Sequence, residues 1–151
     1  VTSQIEPPSY TPTSSIETRA TPLPLTPLAL KILVADDNAV NRQLMEKMLT
    51  KLGCEVSFAE NGIEACESVK ITVFDIILMD CQMPEMDGFT ATSMIRNMNT
   101  KAAQTTIIAV TAHATEEYRQ RCLNVGMNDY LPKPVKLSDL STILIKWQKR
   151  A

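Results

Sequence analysis

Glycine is scarce, with four in 151 residues. Neither a GxxxxGKS/T loop nor a GxGxxG turn occurs, which argues against the usual cradles for a tightly held nucleotide. The four cysteines, Cys54, Cys66, Cys81 and Cys122, are scattered without a CxxC pair. That excludes the common zinc-ribbon spacing and reads as reduced, mostly buried thiols in a cytosolic setting. No apolar run is long enough to span a membrane and no signal peptide precedes the core, so a cytoplasmic segment without direct membrane contact is expected. Charge is nearly balanced: 15 Lys and Arg face 17 Asp and Glu, for a net charge of -2. The one basic cluster is the short end Lys146, Lys149 and Arg150. A nucleic-acid surface is therefore not expected.

What is present divides in two. Residues 1–29 hold Pro7, Pro8, Pro12, Pro22, Pro24 and Pro27 among Ser and Thr, with no Gly and no period. Such a segment buries too little apolar area to offset its ordering entropy, and a disordered linker is expected. Leu23 to Leu30 is more apolar and suited to local packing. Residues 30–151 read as one domain. A chain that starts at Val1 is expected to be a piece of a longer protein.

From Lys31 the pattern alternates. Ile32 to Ala35 is a short apolar strand ending in Asp36-Asp37-Asn38, and Val40, Leu44, Met45, Met48, Leu49 and Leu52 follow at helical spacing until Gly53. Glu55 to Ala59 reads as a second strand, with Val56 and Phe58 on one face, and a helix spans about 63–70. Ile76 to Met79 is an unbroken apolar run, the mark of a strand buried on both faces, and it ends in Asp80. Phe89, Met94, Ile95 and Met98 mark a third helix, and Ile107 to Val110 a fourth strand ending at Thr111. A fourth helix starts at Thr115 or Glu116 and Gly126 ends it. Asp129 to Leu131 is a fifth strand, and the last helix begins near Ser138 as N-cap. Five strands alternating with five helices predict a parallel sheet covered on both faces. The expected fold class is α/β, flavodoxin-like, with strand order 2-1-3-4-5.

The unusual polar residues all fall at strand carboxyl ends. Asp36 and Asp37 end the first strand, Asp80 the third and Thr111 the fourth, while Lys133 follows the fifth. First and third strands are neighbours in this order, which brings the three carboxylates together at the switch point. Clustered carboxylates repel unless a cation joins them, and oxygen ligands without nearby His or Cys select a hard ion. Mg²⁺ is the expected cofactor, with Mn²⁺ as a substitute. Beside a Lys ammonium and a Thr hydroxyl, the arrangement suits a phosphoryl group, and Asp80 is the natural attacking carboxylate. Alone, each residue has a bland role: an Asp pair after a strand caps a helix, and Lys133 is a solvated loop residue.

VADDNAVNR, LMDCQMPEMDG, AVTAHA and DYLPKPV resemble the response-regulator receiver family, in its branch found at the C-terminus of hybrid sensor histidine kinases. The resemblance covers about residues 31–148. It implies phosphorelay signalling, with Asp80 accepting a phosphoryl group from a phosphohistidine and the domain catalysing its own phosphorylation and dephosphorylation. It implies Mg²⁺ ligation by Asp37, Asp80 and the Gln82 carbonyl, with Asp36 acting through water. Lys133, Thr111 and the backbone amides of Cys81 and Ala112 would bind the phosphoryl oxygens, and the Lys133-Pro134 bond would be cis. Two departures are His113, where Asn is common, and Val-Ala-Asp at the end of the first strand, where Val-Asp is more usual. Two rivals stay open: a Mg²⁺-dependent aspartyl-phosphate phosphohydrolase, and a receiver-like scaffold that is never phosphorylated. The first needs an acid-base two residues after the nucleophile, where Gln82 stands.

Three further expectations concern use of the site. In extended backbone, side chains two apart point the same way, so Gln82 and His113 flank the site and tune phosphoryl lifetime. Thr111 and Tyr130 form the switch that reads out phosphorylation. The partner is a histidine kinase or histidine phosphotransfer protein, docking at Ala39, Val40 and Gln43.

Overall fold

The structure, a computed structural model, describes residues 27–148. The elements in chain order are β1 Lys31–Ala35, α1 Ala39–Lys51, β2 Glu55–Ala59, α2 Gly62–Ile71, β3 Ile76–Asp80 and α3 Gly88–Arg96. A 3-10 turn at Lys101–Gln104 precedes β4 Thr106–Thr111, α4 Glu116–Asn124, β5 Asp129–Pro132 and α5 Leu137–Gln148. The five strands form one parallel sheet in the order β2-β1-β3-β4-β5.

The unbroken apolar runs are explained by the two-sided burial of the sheet. Side chains alternate across a strand, so Leu33, Ile77, Met79, Ile107 and Ala109 point to one face. There they pack with Ala65, Cys66 and Val69 of α2, Phe89, Ala91 and Ile95 of α3, and Cys122 of α4. Ile32, Val34, Ile76, Leu78, Ile108 and Val110 point to the other, against Met45 and Leu49 of α1 and Leu140, Ile143 and Leu144 of α5. Trp147 Nε1 and Lys146 Nζ donate to Asp129 Oδ2 at 2.9 and 3.0 Å, tying α5 to β5. Burial pushes the Asp129 carboxyl up, but these hydrogen bonds outweigh it and hold the group below the usual carboxylate range.

Several local readings need correction. α5 begins at Leu137, so Ser138 lies inside its first turn; Lys136 takes the cap position, its carbonyl accepting from the Leu140 amide at 2.9 Å. Leu137 packs against the second core cluster, which draws the helix back by a residue. Met94 lies in α3 as expected and is 47% exposed, whereas Met98 falls two residues past the end of that helix and packs against the first cluster. Phe58 is 37% exposed because β2 is an edge strand. The linker expectation for residues 1–26 lies outside the described residues. From 27 the chain is joined to the domain: the Leu28 and Ala29 amides donate to the carbonyls of Leu52 and Gly53 at 3.0 and 3.1 Å. A Cβ at Gly53 would stand 2.4 Å from Pro27 Cβ, and its φ of +86° independently favours glycine. No helix among the described residues is long and apolar enough to cross a membrane.

Candidate functional site

Sheet register places the site. Ala35 pairs with Met79, so the next residues, Asp36 and Asp80, stand side by side at the carboxyl ends of β1 and β3. Asp80 pairs with Val110 and Val110 with Leu131, so Thr111 lies one residue and Lys133 two residues beyond that row at the same sheet edge. The order reverses between β1 and β3, and the crevice opens there. It is a cleft of about 290 Å³ lined by the three aspartates, Gln82, Thr111, Ala112 and Lys133.

Asp36 and Asp80 are buried, at 5% and 4% exposure, while Asp37 faces solvent. One oxygen from each of the three lies within 4.8 Å of the others. Lys133 Nζ is 3.0 Å from Asp80 Oδ2 and 3.8 Å from Asp36 Oδ2. Burial pushes the Asp80 carboxyl above its ordinary range, opposed by the Gln82 amide at 3.1 Å and by the Lys133 ammonium. The Lys133-Pro134 bond is cis, as expected, and the Lys133 amide donates to the Thr111 carbonyl at 2.8 Å.

The bland reading of the Asp pair does not hold. Asn38 caps α1, its Oδ1 accepting from the amides of Val40 and Asn41 at 2.8 and 3.2 Å. Asp37 is thereby left out of the cap. Asp36 Oδ1 accepts from the Asn38 amide at 2.9 Å, and Arg42 Nη1 holds the Asp36 carbonyl at 2.7 Å. Asn is a strong N-cap residue and its position was a readable signal; the Arg42 contact carried none.

The Cys81 amide does not face the carboxylate. It donates to the Val110 carbonyl at 3.2 Å, because the ladder between β3 and β4 runs one residue past Asp80. The amide that reaches Asp80 is that of Gln82. A close backbone turn follows: the Gly88 amide donates to the Cys81 carbonyl at 3.1 Å, and a Cβ on Gly88 would stand 2.3 Å from the Asp80 carbonyl oxygen.

Thr111 is buried, and its hydroxyl turns toward the following loop. Oγ1 accepts from the His113 amide at 2.9 Å and contacts the His113 carbonyl at 3.3 Å. Gln82 and His113 meet across the cleft mouth, Nε2 to Nε2 at 3.4 Å. The His113 ring lies 4.8 Å from that of Tyr118, which meets Phe89 edge-on at 5.5 Å. Tyr130 is half-buried against the first core cluster, with the Arg119 guanidinium 5.9 Å from its ring centre. Tyr118 and Arg119 were not foreseen, since both reach the site region only through the packing of α4.

Beside the cleft runs a second groove, about 460 Å³, along α1 and the segment after β5. Leu44, Met45, Met48, Val110, Pro134 and Val135 line it, and Asp36 and Lys133 join it to the site. Val40 and Leu44 are 62% and 54% exposed.

The family model for the response regulator receiver domain matches residues 32–145. The hybrid signal transduction histidine kinase B of Dictyostelium discoideum is 45% identical over 126 residues, covering 77% of the chain and 6% of that protein. The sensor protein GacS of Pseudomonas syringae pv. syringae is 40% identical over 126 residues, covering 82% of the chain and 14% of that protein. The chain thus spans a small part of the curated relatives it matches. Among solved structures, the receiver domain of a sensor histidine kinase from Pseudomonas aeruginosa, with a magnesium ion in its active-site cleft, has TM-score 0.74 and 42% identity. That alignment covers 80% of this chain and 98% of that one. A co-crystal of a histidine phosphotransfer signaling protein and the receiver domain of its downstream response regulator, from Saccharomyces cerevisiae, matches at TM-score 0.76 and 29% identity, covering 80% and 90%.

Proposed function

The chain belongs to the response regulator receiver domain family, and from that premise we propose that it accepts a phosphoryl group from a phosphohistidine onto Asp80. One observation carries the reading: three carboxylates within 4.8 Å of one another, with an ammonium 3.0 Å from the buried Asp80, at the switch point of a parallel sheet. An Asp80 oxygen attacks phosphorus as the bond from phosphorus to the imidazole nitrogen breaks, leaving an acyl phosphate and a free imidazole. The donor set fits Mg²⁺, being oxygen only, and Mn²⁺ is the substitute. Asp37, Asp80 and the Gln82 carbonyl would hold the ion, with Asp36 acting through water. When bound, it neutralises charge on the phosphoryl oxygens. Lys133 passes from the Asp80 carboxylate to the new phosphoryl group. The amides of Ala112 and Gln82 offer backbone donors at the rim, while that of Cys81 is held by the Val110 carbonyl. We place the domain within a hybrid sensor histidine kinase in the cytoplasm.

The partner presents its histidine over the cleft and seats an apolar helix face on Ala39, Val40, Gln43 and the neighbouring groove. Val40→Glu is expected to slow transfer from a phosphohistidine protein at least about tenfold, as loss of a central interface anchor does. Phosphorylation by acetyl phosphate, which needs no docking, stays at the wild-type rate. Unchanged transfer from the protein donor would place the docking face elsewhere.

Gln82 and His113 stand over the approach of a hydrolytic water. His113→Ala is expected to change the decay rate of phosphorylated protein severalfold. Decay followed by intact mass tests this. Superimposable profiles for the two proteins contradict it.

Readout runs through Thr111 and Tyr130. A phosphoryl oxygen offers the Thr111 hydroxyl a charged acceptor stronger than the His113 carbonyl it now contacts at 3.3 Å. As the hydroxyl swings inward, Tyr130 follows and leaves Arg119, changing the surface of α4, β5 and α5. Thr111→Ala keeps phosphorylation but should lose most of the beryllofluoride-induced amide shifts around Tyr130. Equally large shifts in both proteins mean that another residue carries the coupling.

A further inference from the structure

Behind the phosphoryl site lie two thiols that the proposed chemistry does not use. Cys81 directly follows the phosphoacceptor, and its Sγ is 3.9 Å from Cys122 Sγ. Both residues are buried, at 1% and 0% exposure. Their attachments differ. Cys81 is pinned at both backbone ends, its amide on the Val110 carbonyl and its carbonyl on the Gly88 amide. Cys122 belongs to α4, and is the one buried residue of that helix. By comparison α2 buries four residues and α3 five. A helix with so little buried apolar surface opens at lower cost than its neighbours. Opening α4 and exposing Cys122 are therefore one event.

We propose that Cys81 and Cys122 form a redox pair, oxidised by a hydroperoxide to a disulfide that ties α4 to the residue after the phosphoacceptor. With α4 open, the Cys122 sulfur attacks a peroxide oxygen. The O–O bond breaks, sulfur is oxidised to a sulfenic acid, and the other oxygen leaves as water. With α4 closed again, the Cys81 sulfur attacks the Cys122 sulfur. The S–S bond forms as the S–O bond breaks, and the hydroxyl takes the Cys81 proton and leaves as a second water. In total, two thiols and one hydrogen peroxide give one disulfide and two waters. The sulfurs close from 3.9 Å to a bond of about 2.05 Å. Because the Cys81 backbone is held at both ends, α4 supplies the movement. In the closed helix, burial keeps Cys122 a thiol, so oxidation follows opening. α4 also carries Arg119 over Tyr130 and Tyr118 against His113. On the reading of Thr111 and Tyr130 given above, the disulfide holds the output surface in its unphosphorylated arrangement.

The test is chemical and does not depend on phosphorylation. The full chain is treated with millimolar hydrogen peroxide under native conditions, then unfolded in N-ethylmaleimide and mapped by mass. The expected product carries two maleimides instead of the four that the free thiols allow, with a linked Cys81–Cys122 peptide that dithiothreitol dissolves. Cys54 and Cys66 stay alkylated. In Cys81→Ser, Cys122 gains oxygen but no linked peptide forms. Retention of all four maleimides after prolonged exposure, or a disulfide using Cys54 or Cys66, overturns the proposal.

Discussion

Lys133→Met is expected to slow phosphorylation by acetyl phosphate roughly a hundredfold, the usual scale for losing one aimed charge-stabilising donor, and at the same time to tighten divalent-cation binding. The two effects have opposite signs for one reason. Lys133 Nζ sits 3.0 Å from Asp80 and 3.8 Å from Asp36, so it serves as counterion of the carboxylate cluster. Its charge repels an incoming cation, and its removal leaves three carboxylates for that cation alone. During transfer, negative charge on the phosphoryl oxygens needs a partner at this point, which methionine does not supply. Initial rates by intact mass and Mg²⁺ titration by NMR give the two numbers. A wild-type rate alongside tighter cation binding would remove Lys133 from the transfer step and leave it a structural counterion.

The parts of this account that were legible in the sequence share a cause. Ile76 to Met79 reads as a two-sided strand because α2 and α3 cover one face of the sheet and α1 and α5 the other. The site was legible because parallel strands all end at the same edge, so position along each strand already gives position in the site. Asp36, Asp37, Asp80, Thr111 and Lys133 come together there for that reason.

What escaped depends on contacts between residues with no local relation. Arg96 ties α3 to the Gly126 carbonyl at 2.9 Å, to Asn128 Oδ1 at 2.9 Å and to the Thr105 carbonyl at 2.7 Å. No periodicity marks such an Arg as a clamp. The 3.9 Å approach of Cys81 and Cys122 spans 41 positions and two elements. The Cys81 amide was misplaced for a finer reason: the β3–β4 ladder continues one residue beyond the last strand residue. Apolar spacing placed both Met94 and Ile95 in the third helix, but it does not distinguish the outward-facing Met94 from Ile95, which is fully buried.

Asp80→Asn is expected to abolish phosphoryl acceptance completely. Asn keeps the shape of Asp80 but its amide oxygen is not a carboxylate nucleophile, and one ligand charge of the cation cluster is lost as well. Asp36, Asp37 and Lys133 all remain, so any residual acceptance has to come from elsewhere. The measurement is the intact mass of wild type and Asp80→Asn after incubation with Mg²⁺ and acetyl phosphate, with circular dichroism to show that both are folded. Wild type should gain the mass of one phosphoryl group, dependent on Mg²⁺, and Asp80→Asn should gain none. An equal gain in the folded variant would contradict the assignment of Asp80 as phosphoacceptor.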